Sequence, residues 1–339
     1  MPKQGPDRND TVTVVGIDEA GYGPLLGPLV VSATAFDVPV KLWPKGAGAS
    51  PPDFWDMLRL SLTRRASRRD PRLCVADSKK LFKNSDSRGI ALLERAVLAF
   101  LGLTGEVPSS LGALVQKTCP DLMPLLADDP CHTTAELPLP VGTSRADVRT
   151  QCNALRADLE RAGVRLRCIF SEVLPAGPFN DRIEATRNKA VVLFALTMRL
   201  IERIWRLTGA RRLSIWVDRQ GGRTHYRHPL MTAFPDDHLE ILTESTSFCS
   251  YRLSSPARRQ RVHFIKNGES HHMPIALASV ASKYMRELLM LSFNRFWSSH
   301  VPELKPTAGY YEDGRRFLAE IGPMMARLRI DPNRIVRQL

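Results

Sequence analysis

Val12-Thr13-Val14-Val15-Gly16-Ile17-Asp18-Glu19-Ala20-Gly21-Tyr22-Gly23-Pro24 is the stretch from which the fold can be read. Residues 12 to 17, rich in Val and Ile, read as a buried strand that ends at Asp18 and runs into a Gly-rich segment. A second apolar run, Leu29 to Phe36, follows after a short link through Gly and Pro. The two therefore read as an antiparallel hairpin or meander. Arg212-Leu213-Ser214-Ile215-Trp216-Val217-Asp218 is another apolar strand closed by a carboxylate.

Between and beyond these runs the spacing turns helical. Phe54 to Leu62 reads as a short amphipathic helix, Asp77-Ser78-Lys79-Lys80-Leu81 opens a helical pattern from Ser85 to Leu101, and Ser144 to Ala162 is helix-like. A strand at Leu166 to Val173 precedes a long helix from about Asn180 to Leu207. Strands at Leu239 to Thr246 and Val262 to Lys266 and a helix from Pro274 to about Trp297 extend the alternation, which is that of an α/β chain. Residues 39 to 53 read as a loop. Residues 102 to 140, with Pro, Gly, Ser, Asp and only short apolar runs, read as a surface insertion. No internal repeat is evident.

At 339 residues the chain is long enough for one large domain with insertions, or one domain and a smaller appendage. With 43% hydrophobic and 24% charged residues, wholesale disorder and a fibrous protein are excluded. The 48 Lys and Arg against 35 Asp and Glu leave +13, which favours a polyanionic partner, nucleic acid first. A membrane surface is the rival, but the basic residues fall in short scattered clusters rather than on one amphipathic helix. Those clusters include Arg64, Arg65, Arg68, Arg69, Arg211, Arg212, Arg258, Arg259 and Arg261, and each alone also reads as a solvated face. Six cysteines without a C-x-x-C pair suggest neither zinc nor a disulfide framework. The N-terminus lacks the apolar core of a signal peptide, and no run of about 18 apolar residues exists to span a bilayer. The expectation is a cytoplasmic protein in a reducing compartment, with no membrane partner.

Asp18 and Asp218 each close a buried run, so each should emerge at a strand end, where ligand sites of α/β sheets lie. Adjacent carboxylates at 18 and 19 point to opposite faces while a strand continues, a limit the following glycines can relax. By itself Asp-Glu at a strand end also reads as a solvated turn. Hydrolysis of a phosphodiester with Mg²⁺ needs several hard oxygen ligands, so further carboxylates must come from distant segments. Asp218 is one. Glu269, in Lys266-Asn267-Gly268-Glu269-Ser270 past an apolar strand, is another.

At this point the chain resembles a known family, type 2 ribonuclease H (ribonuclease HII), as a divergent member. Gly16 to Pro24 resembles that family's first catalytic motif, and Leu26-Gly27-Pro28-Leu29-Val30-Val31 continues it. Asp77-Ser78-Lys79-Lys80-Leu81 resembles the second motif without a mismatch. Val217-Asp218 sits where the family's third carboxylate follows a strand. Lys266 to Ser270 resembles its lysine-glycine-aspartate segment, and Ala278-Ser279-Val280-Ala281-Ser282-Lys283 resembles the small-residue helix that follows. Gly309-Tyr310 is similar to the pair whose ring lies against the sugar beside the cleavage junction. The matches run from Val12 to roughly the C-terminus, interrupted near 38 to 70 and 102 to 165.

The resemblance implies a ribonuclease H-like fold, a mixed central sheet flanked by helices, with insertions and a helical C-terminal extension. It divides the chain into a catalytic domain at 10–300, with 102–165 as insertion, and an extension at 301–339 that contributes to substrate binding. It implies cleavage 5′ to ribonucleotides in RNA/DNA hybrid or ribonucleotide-containing DNA duplex, by a monomer using Mg²⁺ or Mn²⁺. Asp18, Glu19, Asp218 and Glu269 would be the catalytic metal ligands. Gly21, Tyr22, Gly23, Ser78, Lys79, Lys80, Lys283 and Tyr310 would contact the nucleic acid.

Two positions depart from the family pattern. Gly21-Tyr22-Gly23 replaces the usual glycine-basic-glycine, removing a cation near the junction, although backbone groups of the glycines can still read a 2′-hydroxyl. Glu269 replaces aspartate and moves the oxygens by one methylene, which is expected to favour Mn²⁺ or lower the rate. These departures keep two alternatives open: a duplex-binding protein that has lost catalysis, and a nuclease of the same fold acting on DNA. His271 and His272 could serve the leaving group or a metal, but in a polar loop they read as solvent-facing. Glu287, at i+4 from Lys283, reads as a surface ion-pair partner and a reserve ligand. The Ala and Ser residues from Ala276 to Ser282 read as a close-packing helix face.

Overall fold

The computed structural model describes residues 11–44, 50–67, 69–82, 87–129, 131, 137–209, 212–256 and 258–338. Arg68, Arg211 and the predicted helix start at Ser85 lie outside them. The strands are β1 (Thr11–Ala20), β2 (Leu29–Pro39), β3 (Leu62–Thr63), β4 (Leu73–Cys74), β5 (Arg165–Leu174), β6 (Arg212–Asp218), β7 (His238–Glu244), β8 (Phe248–Ser255) and β9 (Arg258–Ile265). The helices are α1 (Phe54–Met57), α2 (Ser78–Leu81), α3 (Ser87–Leu101), α4 (Leu111–Thr118), α5 (Met123–Ala127), α6 (Arg145–Ala162), α7 (Ala176–Thr186), α8 (Lys189–Thr208), α9 (Arg227–Ala233), α10 (Met273–His300) and α11 (Tyr311–Arg327).

Seven strands form one mixed sheet in the order β5-β2-β1-β6-β9-β8-β7. β1 and β2 pair antiparallel through Ile17 opposite Ala33, as the short link requires. β1, β6 and β9 are parallel neighbours, so their C-terminal ends share one edge of the sheet. Side chains alternate across it. Val14, Val30, Phe36 and Trp216 join a core with α3, α6 and α10, while Val15, Ile17, Val31 and Val217 join another with α8. The chain is thus α/β, a mixed sheet flanked by helices with a helical C-terminal region.

α10 lies directly on the sheet. A Cβ at Gly16 would collide with the backbone of Pro274 and Ile275, and Thr34 Oγ1 donates to the Pro274 carbonyl at 2.9 Å. The buried Ala276, Ala278, Ser279 and Ser282 keep this approach close, as their size suggested. α11 packs Phe317 and Ile321 against Phe293 and Trp297 of α10 and against Leu25 and Leu26, beside the Gly-rich segment.

Four expectations need correction. The described residues between 102 and 140 are not a surface excursion, because Leu111, Leu114, Val115, Leu122, Leu126, Leu137 and Leu139 are buried in the main core. The long helix at 180–207 is two: Arg187 turns left-handed at φ 49°, and the Asn188 side chain caps α8 by accepting from Ala190 and Val191. The helix at 54–62 stops after Met57, and Leu62–Thr63 pairs in parallel with β4. β8 was missed as a strand; it bridges β7 and β9. Among the described residues no helix is long and apolar enough to cross a membrane.

Candidate active site

The common edge of β1, β6 and β9 brings the four predicted carboxylates together. β1 does not stop at Asp18 as expected but runs on to Ala20, still paired with β2, so Asp18 and Glu19 lie within its last three residues, and Asp218 ends β6. Glu269 sits in a single turn, Gly268–Ser270, reached after β9 because Asn267 adopts φ 56°. The Gly268 amide donates to Asp218 Oδ1 at 2.7 Å and ties that turn to β6. The Glu269 carboxylate stands beside that of Asp218 and raises its proton affinity. Asp18 faces α10, where Ser279 donates to its carboxylate and Ser282 Oγ to its carbonyl at 2.9 Å.

Burial and mutual repulsion raise the proton affinity of the cluster. Burial first, then the charges of Glu19 and Asp218, hold Asp18 well above the usual carboxylate range at 7% exposure. Burial and Asp218 push Glu19 up to about 8, with Lys79 acting against them. Burial, with Glu269 adding to it, takes Asp218 to about 7. Such a set is poorly compensated near neutral pH without a further cation.

One oxygen of Glu19 (Oε2) and one of Glu269 (Oε2) are buried without a hydrogen-bond partner. Hard, under-satisfied oxygens suit Mg²⁺ or Mn²⁺. Among the described residues no three His, Cys, Asp or Glu side chains are already arranged to hold a metal. A divalent ion that keeps several of its waters needs only one or two carboxylates in direct contact, so the donor set fits without an all-protein cage.

The Gly-rich segment is clamped from two distant places, α10 and the irregular C-terminal segment. Gly21 has φ +83°, where a side chain would be strained and would strike the Pro28 carbonyl, whereas a Cβ at Gly23 would meet nothing. Arg337, only 1% exposed, donates to the carbonyls of Gly21 and of Tyr22, the latter at 2.8 Å. Because C=O and N–H oppose each other across a trans peptide, this turns the N–H groups of Tyr22 and Gly23 away from Arg337. Arg286 of α10 donates to the carbonyls of Leu26 and Ala308. Tyr22 is half-buried with Lys189 5.6 Å from its ring centre, and burial followed by the Glu19 charge raises its phenol. Sequence reading missed Arg337, Lys189 and Ser279, and for Arg337, 315 residues from Tyr22, no local signal exists.

The other predicted contacts divide. Lys79 acts on Glu19, and Lys80 is exposed, 4.0 Å from Asp77. Tyr310 is 48% exposed and stands beside the clamped segment, since the Gly309 carbonyl accepts from Leu25 at 2.8 Å and Leu26 at 3.0 Å. Ser78, expected to face substrate, is buried and hydrogen-bonded to Ser279 at 3.0 Å, so it supports the residue that holds Asp18. Lys283 is buried over the Phe82 ring and pairs with Glu287 at 2.6 Å. Glu287, at 13% exposure, is no surface partner; it also takes Arg286 at 3.3 Å.

His271 is exposed, but His272 stacks on Trp216 at 4.1 Å between ring centres, as does His263. Burial first, then Arg261 and His272, push His263 down to about 3. Its unfolded counterpart protonates near 6.5, so below that pH the unfolded chain binds a proton that the folded chain refuses. His263 therefore removes stability as pH falls from about 6.5 toward 3, by up to ~1.4 kcal/mol per pH unit. The His263→Phe variant is expected to show a flatter decline of stability in denaturant titrations across that window; parallel curves would reject this.

Two cavities, of about 1050 and 1030 Å³, lie away from the carboxylates. The carboxylates lie instead at the C-terminal ends of β1 and β6 and in the turn after β9. No family model matches the sequence, and no curated protein matches it. Among solved structures, the chain is similar to the ribonuclease HII of a PCNA complex from Archaeoglobus fulgidus, at 13% identity and a TM-score of 0.40, covering 96% of this chain and 94% of that one. It is similar to ribonuclease H2 from Pyrococcus horikoshii OT3 at 11% identity and a TM-score of 0.42, covering 96% and 92%. Bst-RNase HIII in complex with Mn²⁺ gives 14% and 0.41, covering 96% and 66%. Likenesses this weak do not carry a function; the motifs and the carboxylate cluster must.

Proposed function

We propose that this chain is a divalent-metal-dependent nuclease of the ribonuclease H type 2 kind, cutting 5′ to ribonucleotides in RNA/DNA hybrid or ribonucleotide-containing DNA duplex. The observation that carries the reading is the gathering of Asp18, Glu19, Asp218 and Glu269, from three distant segments, into one cluster, Asp18 buried and the others half-buried, with two oxygens unpartnered. The +13 charge and the motif resemblance support it.

In this reading the four carboxylates would hold Mg²⁺ or Mn²⁺, which would stabilise the charge developing on the scissile phosphate. Ser279, backed by Ser78, keeps Asp18 aimed at the shared edge. Gly268 does the same for Asp218. The N–H groups of Tyr22 and Gly23, oriented through Arg337, would meet the ribose, and the exposed Tyr310 ring would lie against the neighbouring sugar. Water adds at phosphorus, the P–O3′ bond breaks and the leaving oxygen takes a proton, giving 5′-phosphate and 3′-hydroxyl ends. Residues 10–300 form the catalytic domain and 301–339 its substrate-binding extension.

The test is incubation of the protein with Mg²⁺ or Mn²⁺ and three duplexes: all-DNA, RNA/DNA hybrid, and DNA with one ribonucleotide. Cleavage 5′ to the ribonucleotide and none of all-DNA is expected. Equal cutting of DNA would replace this reading with a DNA nuclease of similar chemistry, and tight binding without turnover under either metal would leave a duplex-binding protein.

A further inference from the structure

The edge of the sheet remote from the carboxylates carries a second concentration of charge. Arg212 on β6 stands in register with Arg259 on β9, and Arg252 on β8 with Arg261 on β9. Register neighbours on parallel strands, and residues two apart on one strand, share a face of the sheet. The arginines therefore form a lattice spaced about 5 Å across the strands and about 7 Å along them. Like charges opposite one another destabilise a sheet. No described acidic residue pairs with Arg212, Arg259, Arg261 or Lys41, and only Arg252 has a partner, Glu240.

These five cations line one cavity of about 1050 Å³, along with Ser214, Ser254 and His263. The Nδ1 of His263, a side chain more than nine-tenths buried, has no hydrogen-bond partner. Trp216 and its neighbours cover the carboxylate half of this sheet face beneath α10; the lattice half is left open to the cavity. Arg212 lies six residues before Asp218 on the same strand, about 20 Å away.

We propose that this cavity is a second nucleic-acid site, taking the phosphodiester backbone of a single strand past the end of the sheet opposite the carboxylates. Uncompensated arginines in a row match a chain of phosphates, whose charge repeats along the strand. A cavity of this volume admits one backbone rather than a duplex. Three of the cations, Lys41, Arg212 and Arg259, are exposed, which suits a strand passing through more than a small ligand swallowed whole. The inference goes beyond the proposed hydrolysis, since binding here needs neither metal nor ribonucleotide.

The experiment measures binding of a fluorescent 20-nucleotide single-stranded DNA by anisotropy, in EDTA, from 50 to 200 mM salt. It compares the unaltered protein with an Arg259→Gln/Arg261→Gln double variant and, on a different strand, with Arg212→Gln. Removing two phosphate contacts should weaken binding of every sequence and flatten the slope of log affinity against log salt by about 1.4, and removing one by about 0.7. Identical affinities and slopes would overturn the proposal. So would a nucleoside triphosphate that binds the cavity without displacing the strand. Failure of the nuclease reading would show instead as absent cleavage with this salt response intact.

Discussion

Replacing Asp18 by Asn is expected to lower cleavage of a ribonucleotide-containing duplex on the order of 10³-fold while raising the melting temperature of the metal-free protein. The two effects share one cause. Asp18 is buried beside Glu19 and Asp218, and all three are held above the usual carboxylate range. A charge forced into that company opposes folding, and it serves only when a cation is present. Several kcal/mol of transition-state stabilisation from a bound ion corresponds to roughly 10³ in rate. Asn keeps the shape and an acceptor for Ser279 but removes the charge. At pH 8, where Asp218 is ionised and Glu19 about half so, the gain in stability should be on the order of 1 kcal/mol, or about 1–2 °C. Single-turnover cleavage and calorimetry in EDTA check both halves. A variant that cuts at the original rate would remove Asp18 from the chemistry. A lower melting temperature would make its role that of a structural acceptor.

The Gly16→Ala variant should lose about 3 kcal/mol or more, melting roughly 4 °C or more lower. The added Cβ would overlap the backbone of Pro274 and Ile275, atoms that no rotamer change can move aside. β1 and α10 would have to part, and with them Asp18 and Ser279. Gly23→Ala is the control. Its Cβ would meet nothing, so its stability should change by less than about 0.5 kcal/mol. Equal melting of Gly16→Ala and the unaltered chain would mean that α10 does not lie against β1 as described.

The apolar runs ending at Asp18 and Asp218 marked their strands, and the short Gly and Pro link marked the β1–β2 pairing, because buried strands and tight connections are local properties. The carboxylate types were legible for the same reason, each standing just past an apolar run. The break at Arg187 was hidden because apolar spacing continues through it and only the Asn188 cap betrays it. The core role of residues 102 to 140 was hidden because scattered leucines show burial only when a partner surface exists.

By itself, then, the sequence determined the α/β class, the strands that bear Asp18 and Asp218, and the residue types from which an oxygen-rich site could be made. The tertiary structure decided what none of those runs contains: that β1, β6 and β9 are parallel neighbours, which puts the four carboxylates at one edge. It also buried Ser78 and Lys283, half-buried Glu287 against Lys283, and brought Arg337 back onto Gly21 and Tyr22. Contacts between residues hundreds of positions apart leave no periodicity in a chain; they arise from which faces pack, and only the packed molecule sets that.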